Sequence, residues 1–245
     1  MHLLNLLAVS LTAGAALASA IPTELVKRAD LKGFDISAAQ STSFWSCTYK
    51  AGYRKPVIRG YQQACGSGGR VDPNFLPAYK AARKAGYTNI DAYMFPCTGK
   101  QPTGVACKSI KKQLDEFLGY IKEHKISVQR LWFDVEPISG ECNAWQLSKA
   151  SNLALAKSWV AALKGSGLKW GIYANGNQWT AMFPSRSSNI GNDLPLWAVQ
   201  DDFKPGVSSV DTFMGGWKKA YAKQYHLDTH AGSCGGHVDL DSFSH

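Results

Sequence analysis

The chain carries no Asn-x-Ser/Thr sequon and no Cys-x-x-Cys pair. From Leu31 onward it also has no low-complexity stretch, linker or internal repeat. The missing sequon removes N-glycosylation, and the missing cysteine pair removes the usual spacing of a structural zinc site. Beyond Ala20 no run approaches the roughly 20 apolar residues that a bilayer span needs, so no membrane partner is expected. Acidic residues are the minority charge, 18 against 27 Lys and Arg, which suits an anionic polymer as partner or simply keeps the protein soluble.

The first residues are set apart from the fold. Residues 1–20 read as a signal peptide, with His2 near the start, an apolar run over Leu3–Ala18 and a small-x-small cleavage site at Ala18-Ser19-Ala20. Residues 21–28 end in the dibasic pair Lys27-Arg28 and read as a pro-segment trimmed after Arg28, or else as an exposed basic stretch. Residues 29–245 then form one domain of barrel size. A secreted, extracellular protein follows, and the secretory start argues against a nucleic-acid partner.

Six cysteines in such a chain imply up to three disulfides, with fifteen ways to pair them. Cys97 and Cys107 are the best local pair, because the loop between them contains Pro102 and Gly104 and folds back readily. His226, His230 and His237 surround Cys234, but in an oxidising compartment they read as surface histidines. Neither a metal nor a cofactor is expected.

Strand-like and helix-like segments alternate. Gly33–Ser37 precedes a helix over Ser41–Ala51, and Pro56–Gln62 precedes one over Asn74–Ala85, opened by Asp72-Pro73 as N-cap and N1. Asn89–Phe95 precedes Ser109–Lys125, where Ile110, Leu114, Phe117, Leu118 and Ile121 form a buried helical stripe. Arg130–Glu136 precedes a helix from about Trp145 to Lys164, and Trp170–Ala174 opens a fifth unit. Leu196–Gln200, Ala222–Tyr225 and His237–Leu240 then read as strands with little helix between them. This α/β pattern fits a parallel barrel of five βα units plus three strands, and a doubly wound sheet equally well.

The most informative segment is Leu131-Trp132-Phe133-Asp134-Val135-Glu136-Pro137. On a strand, Asp134 and Glu136 share one face, and Leu131, Phe133 and Val135 form an apolar opposite face. Carboxyl groups are rarely kept beside a buried core unless something uses them or pairs them. Two side by side repel, so one holds a proton and the other stays ionised, as glycoside cleavage requires. In a βα barrel the strand ends form the active mouth, and Asp35 and Asp239 would join the pair there. Asp35 has a competing reading as a helix cap, and Asp239 as a partner for a barrel Arg or Lys. Asp91, inward with Tyr93 and Phe95, reads as an internal hydrogen-bonding residue. Tyr61, Tyr93, Phe95, Tyr173 and Trp197 lie at strand ends and read as a groove on which saccharide rings stack, or as packing in the mouth.

At these residues the chain resembles the glycoside hydrolase family 25 lysozymes, the Chalaropsis type, near the branch of nematodes and protists. The resemblance spans Leu31–Phe243 and rests on eight motifs in order: Gly33-Phe34-Asp35-Ile36-Ser37, Arg59-Gly60-Tyr61, Tyr93-Met94-Phe95-Pro96-Cys97, Trp132-Phe133-Asp134-Val135-Glu136, Gly171-Ile172-Tyr173, Leu196-Trp197-Ala198, Lys223-Gln224-Tyr225 and Val238-Asp239-Leu240-Asp241. It implies a flattened TIM-like (βα)5β3 barrel. It also implies cleavage of bacterial peptidoglycan between N-acetylmuramic acid and N-acetylglucosamine; a monomer is expected. Glu136 would be the general acid, Asp134 would orient the reacting acetamido group, and Asp35 and Asp239 would complete the acidic cluster. Lys223 stands where the family often has Trp, and Asp241 where it often has Asn. Both departures bear on substrate contact. A chitinase-like barrel is the enzymatic rival, but it needs aspartates at the positions of Gln129 and Trp132. A glycan-binding barrel without catalysis is the other, and it would have lost Glu136.

Overall fold

The computed structural model describes residues 29–245. The signal peptide and pro-segment expected over 1–28 lie outside the described residues.

The strands are β1 (Leu31–Ile36), β2 (Lys55–Gln62), β3 (Arg70–Val71), β4 (Asp91–Met94), β5 (Leu131–Val135), β6 (Trp170–Asn175), β7 (Leu196–Val199), β8 (Ala222–Thr229) and β9 (Val238–Phe243). β3 hangs from β2 as a short antiparallel partner, and the remaining strands close into a barrel through the parallel β1–β2 pairing. β1, β2 and β4 to β8 run parallel in sequence order, whereas β9 is antiparallel to both β8 and β1. Closure selects the TIM-like barrel over the doubly wound sheet.

Side-chain alternation divides each strand between two cores. Outward residues such as Phe34, Ile58, Phe133 and Ile172 pack under the helices. Inward residues Val57, Trp132, Trp197, Ala222 and Phe243 fill the barrel. Two inward glycines make that filling fit: a Cβ on Gly171 would lie 2.3 Å from the Trp132 ring, and one on Gly33 would lie 2.4 Å from Phe243. Asp91 lies inside the barrel as an internal hydrogen-bonding residue. Its Oδ1 accepts from Lys55 Nζ at 2.8 Å and its Oδ2 from the Trp132 indole at 2.9 Å. Both its oxygens and the Lys55 ammonium are thereby served, which is the condition for burying an ion pair.

The helices are α1 (Thr42–Lys50), α2 (Phe75–Lys84), α3 (Ile110–Glu123), α4 (Lys149–Gly165) and α5 (Trp179–Met182). Ser41, Ser109 and Ser148 cap α1, α3 and α4 by accepting a backbone N–H. α4 starts later than the expected Trp145, because Trp145 sits at φ 55° in a loop and Ser148 supplies the cap. Asp72 does not cap α2 directly. It forms a turn, accepting from Asn74 N at 2.8 Å, and gives its other oxygen to Arg59 at 2.6 Å. The fifth unit carries only the four-residue α5.

Three disulfides form: Cys47–Cys234, Cys65–Cys142 and the expected Cys97–Cys107. Among the described residues no helix is long and apolar enough to cross a membrane.

Candidate active site

A cleft of about 310 Å³ opens at the C-terminal ends of the parallel strands. Asp35 reaches it from β1, Arg59 from β2, and Tyr93 and Phe95 from the end of β4. Asp134 comes next to last on β5 and Glu136 stands one residue beyond the strand, with Tyr173 from β6 and Trp197 from β7. Asp239 arrives differently. β9 is antiparallel, so its beginning faces the mouth, and the register sets Asp239 directly opposite Asp35. The four carboxylates named from the sequence therefore meet in one cleft.

Their environment holds protons. Burial, then the Asp239 charge, pushes the Glu136 carboxyl up to about 7. Burial also raises Asp134 well above the usual carboxylate range, followed by the charges of Glu136 and Asp35, with Arg59 opposing. Asp35 is raised by burial and by Asp239, and Asp239 is raised chiefly by burial. Four neighbouring carboxyls in a poorly hydrated mouth cannot all ionise at neutral pH. Asp134 is 4 % exposed, and its Oδ1 has no hydrogen-bond partner among the described residues. A buried acceptor left open in a cleft is ready for a donor on a bound molecule.

The aromatic expectations divide. Tyr93 and Tyr173 are half-buried on the cleft wall, and Phe95 is buried there. Trp197 forms floor rather than an open stacking face. It is 1 % exposed, with Tyr173 at 4.6 Å and Trp132 at 5.5 Å between ring centroids. Tyr61 is not in the cleft. A bulge between Arg59 and Tyr61 breaks the period-2 alternation, so Gly60 and Tyr61 both face α3. The Tyr61 hydroxyl donates to Glu116 at 3.0 Å and its ring lies 6.2 Å from Phe117.

Three residues complete the site without having been assigned a role from the sequence. Arg59 is held at the cleft wall by Asp72 and by the Ser37 carbonyl at 3.1 Å. Gln224 donates to Asp35 at 2.7 Å and to Asp239 at 3.2 Å, while its Oε1 accepts from Tyr173 at 2.8 Å. His237 stands at the rim beside Asp228. Arg59 and Gln224 fall on inward positions of β2 and β8, which alternation alone would have marked. Lys223 turns outward. It is fully buried, and its ammonium donates to Asp202, the Lys204 carbonyl and Ser209, so it pins a loop and does not enter the cleft. Among the described residues no set of three His, Cys, Asp or Glu side chains could hold a metal ion.

Acid groups on opposed strands, a raised carboxyl and tyrosine walls in the mouth of a closed βα barrel are the equipment of a barrel glycoside hydrolase. Comparison with known proteins makes the assignment narrower. The family model described as Lysozyme-like protein 1 matches residues 27–225. A probable GH family 25 lysozyme 2 of Dictyostelium discoideum is 33 % identical, covering 86 % of this chain and 90 % of the relative. Lysozyme-like protein 5 of Caenorhabditis elegans is 31 % identical over 85 % and 89 %. Among solved structures, a muramidase from Trichobolus zukalii superposes with a TM-score of 0.62 at 24 % identity, covering 88 % and 94 %. That likeness shows the barrel. The chain belongs to glycoside hydrolase family 25, among its lysozymes and lysozyme-like proteins.

Proposed function

We propose that the protein is a secreted muramidase that hydrolyses the β-1,4 bond between N-acetylmuramic acid and N-acetylglucosamine in bacterial peptidoglycan. The observation that carries this reading is Glu136, lifted to about 7 in the same cleft as the open Oδ1 of Asp134. A carboxyl at that value is protonated in mildly acidic conditions and can donate to a departing glycosidic oxygen. Asp134 Oδ1 accepts from the N–H of the substrate acetamido group and steers its carbonyl oxygen toward C1. As the glycosidic C–O bond breaks, the carbonyl oxygen bonds to C1 and Glu136 gives its proton to the leaving oxygen. A water, deprotonated by the Glu136 carboxylate, then attacks C1 and reopens the ring formed with the acetamido group. Two displacements return the starting configuration, an accepted exception to the two-carboxylate scheme. Asp35 and Asp239 supply negative potential for the cationic transition state, and Tyr93 and Tyr173 offer ring faces to the sugars.

The test is turbidity loss of bacterial walls, with product ends identified after borohydride reduction. Muramicitol at the new ends supports the reading. Glucosaminitol as main product, or efficient attack on colloidal chitin, points to the chitinase-like alternative. Binding without cleavage points to a glycan-binding barrel. Secretion is tested by N-terminal sequencing of protein from the culture medium, with Ala29 expected first after removal of residues 1–20 and 21–28. The three disulfides support that route, since such bonds persist in oxidising compartments.

A further inference from the structure

Beneath the cleft, a fifth carboxyl has no role in the steps above. Asp241 is 1 % exposed, on the inward face of β9 two residues beyond Asp239. Its Oδ1 accepts from the Trp197 indole at 2.8 Å, while its Oδ2 has no partner among the described residues. The β1–β9 register pairs Asp241 with Gly33 and Asp239 with Asp35, so Asp241 is the diagonal neighbour of Asp35. That placement sets the two carboxyl groups against each other on adjacent strands, where one can donate to the other once it carries a proton.

Such a contact between two ionised carboxylates leaves a buried anionic oxygen facing another anion, which is strongly unfavourable in a dry interior. One proton between them turns repulsion into a hydrogen bond. The surroundings decide which partner carries it. Asp35 already accepts from Gln224, whose amide orientation is set by the Tyr173 hydroxyl. Asp241 has one indole donor and an oxygen left over. We propose that Asp241 is a resident carboxylic acid whose Oδ2 hydroxyl donates to Asp35, making Asp241 a positioning residue that keeps Asp35 ionised and aimed into the cleft.

The neighbouring charges agree. Asp239 on β9, Asp134 and Glu136 on and beyond β5, and Tyr93, Tyr173 and Tyr225 on β4, β6 and β8 bring no cation to the pair. Arg59 on β2 is engaged by Asp72 and Ser37, and Lys55, also on β2, by Asp91 and Asn89. Burial raises both Asp35 and Asp241 well above the usual carboxylate range, so the pair holds a proton; the bonds from Gln224 and Asp241 work to lower Asp35, whereas contact with Asp35 raises Asp241 further.

The catalytic consequence rests on the muramidase reading; the protonation does not, and the experiment separates them. Infrared difference spectra of the folded protein at neutral pH, without substrate, compare Glu136→Gln with Glu136→Gln/Asp241→Asn. Loss of a protonated-carboxyl C=O band on adding Asp241→Asn is the expected result. An unchanged band overturns the proposal, whatever the activity. The second arm measures pH–rate profiles on bacterial walls for wild type, Asp241→Asn and Asp241→Ala. Asparagine still donates to Asp35, so kcat should stay within about threefold of wild type with the acid limb unmoved. Alanine removes the donor, so kcat should fall about tenfold with KM little changed, and the acid limb should move up by roughly one pH unit. An alanine variant with the wild-type profile, or an asparagine variant as impaired as alanine, overturns the proposal. If alanine does not fold, the asparagine profile and the infrared band decide. If wild type fails to cleave walls, the muramidase reading falls and the infrared result still judges Asp241.

Discussion

Glu136 sits just beyond β5, where burial and the Asp239 charge hold its carboxyl at about 7. Replacing it with Gln removes the proton donor without changing shape, so lysis should fall by at least about 10²-fold while the circular dichroism spectrum stays native. Near-wild-type lysis would take the role away from Glu136. For the intact enzyme, kcat/KM should decline as pH rises through 7; a rate that keeps climbing above pH 8 contradicts the assignment. Stability follows the same proton. The folded value lies above the ordinary 4.5, so the contribution of Glu136 is fully present below about 4.5 and is lost as pH rises through 7. Glu136→Gln should therefore melt roughly 3–8 °C higher than wild type at pH 8 and within about 1 °C of it at pH 4. Equal gaps at both pH values would count against a raised Glu136. The two tyrosines named together from the sequence separate here as well. Tyr93→Ala should raise KM by about tenfold through loss of a sugar-stacking face. Tyr61→Phe should cost about 1 kcal/mol of stability through its Glu116 bond and leave KM unchanged. A KM change in the Tyr61 variant would return that residue to the cleft.

The elements around the mouth are tied rather than free. Cys65 follows β2 and Cys142 follows β5, so their bridge joins the loop after β2 to the loop that runs on from Glu136. Cys97–Cys107 closes the loop after β4, and Cys47–Cys234 fastens α1 to the β8–β9 connection ahead of Asp239. Longer loops that shape a site would otherwise sample many conformations, and the bridges remove that freedom. Because Cys65 and Cys142 are 77 positions apart, replacing both with Ser should cost about 3–5 kcal/mol. The loss should appear in thermal unfolding, and kcat should drop with it as the loop beside Glu136 loosens. A double variant with unchanged melting and unchanged rate would show that barrel packing alone holds the mouth.

At the scale of the whole molecule, charge is divided. The chain is net +9, with 27 basic against 18 acidic residues, yet carboxylates crowd the cleft. On the proposed reading, the net positive charge draws the protein to an anionic wall polymer, while the carboxylates of the mouth face the sugar chain. Lysis of intact walls should therefore weaken with rising salt, by about an order of magnitude between low and physiological ionic strength or above. Cleavage of a short neutral glycan should change little. Equal salt dependence for both substrates would mean that the surface charge serves solubility alone.

Much of this was legible in the residues. Alternation on β5 put Asp134 and Glu136 on one face and Leu131, Phe133 and Val135 on the other, because a strand's side chains can only divide between two faces. The stripe Ile110 to Ile121 announced α3 in the same way, and the short loop between Cys97 and Cys107 announced their bridge. Local geometry determines such features, so they need no knowledge of distant chain. Other features had no local cause. Barrel closure rests on β1 meeting β2 and β9, contacts between segments far apart in sequence. The bulge that turned Tyr61 outward becomes visible only when β2 is registered against β4. Lys223 found its partners in a loop around Asp202, and Asp241 met Asp35 only because the last strand returns antiparallel to the first. The sequence by itself determined which residues could do acid chemistry; the tertiary structure decided which carboxyls share a cleft and a proton, because burial and through-space charge depend on neighbours that the chain order does not contain.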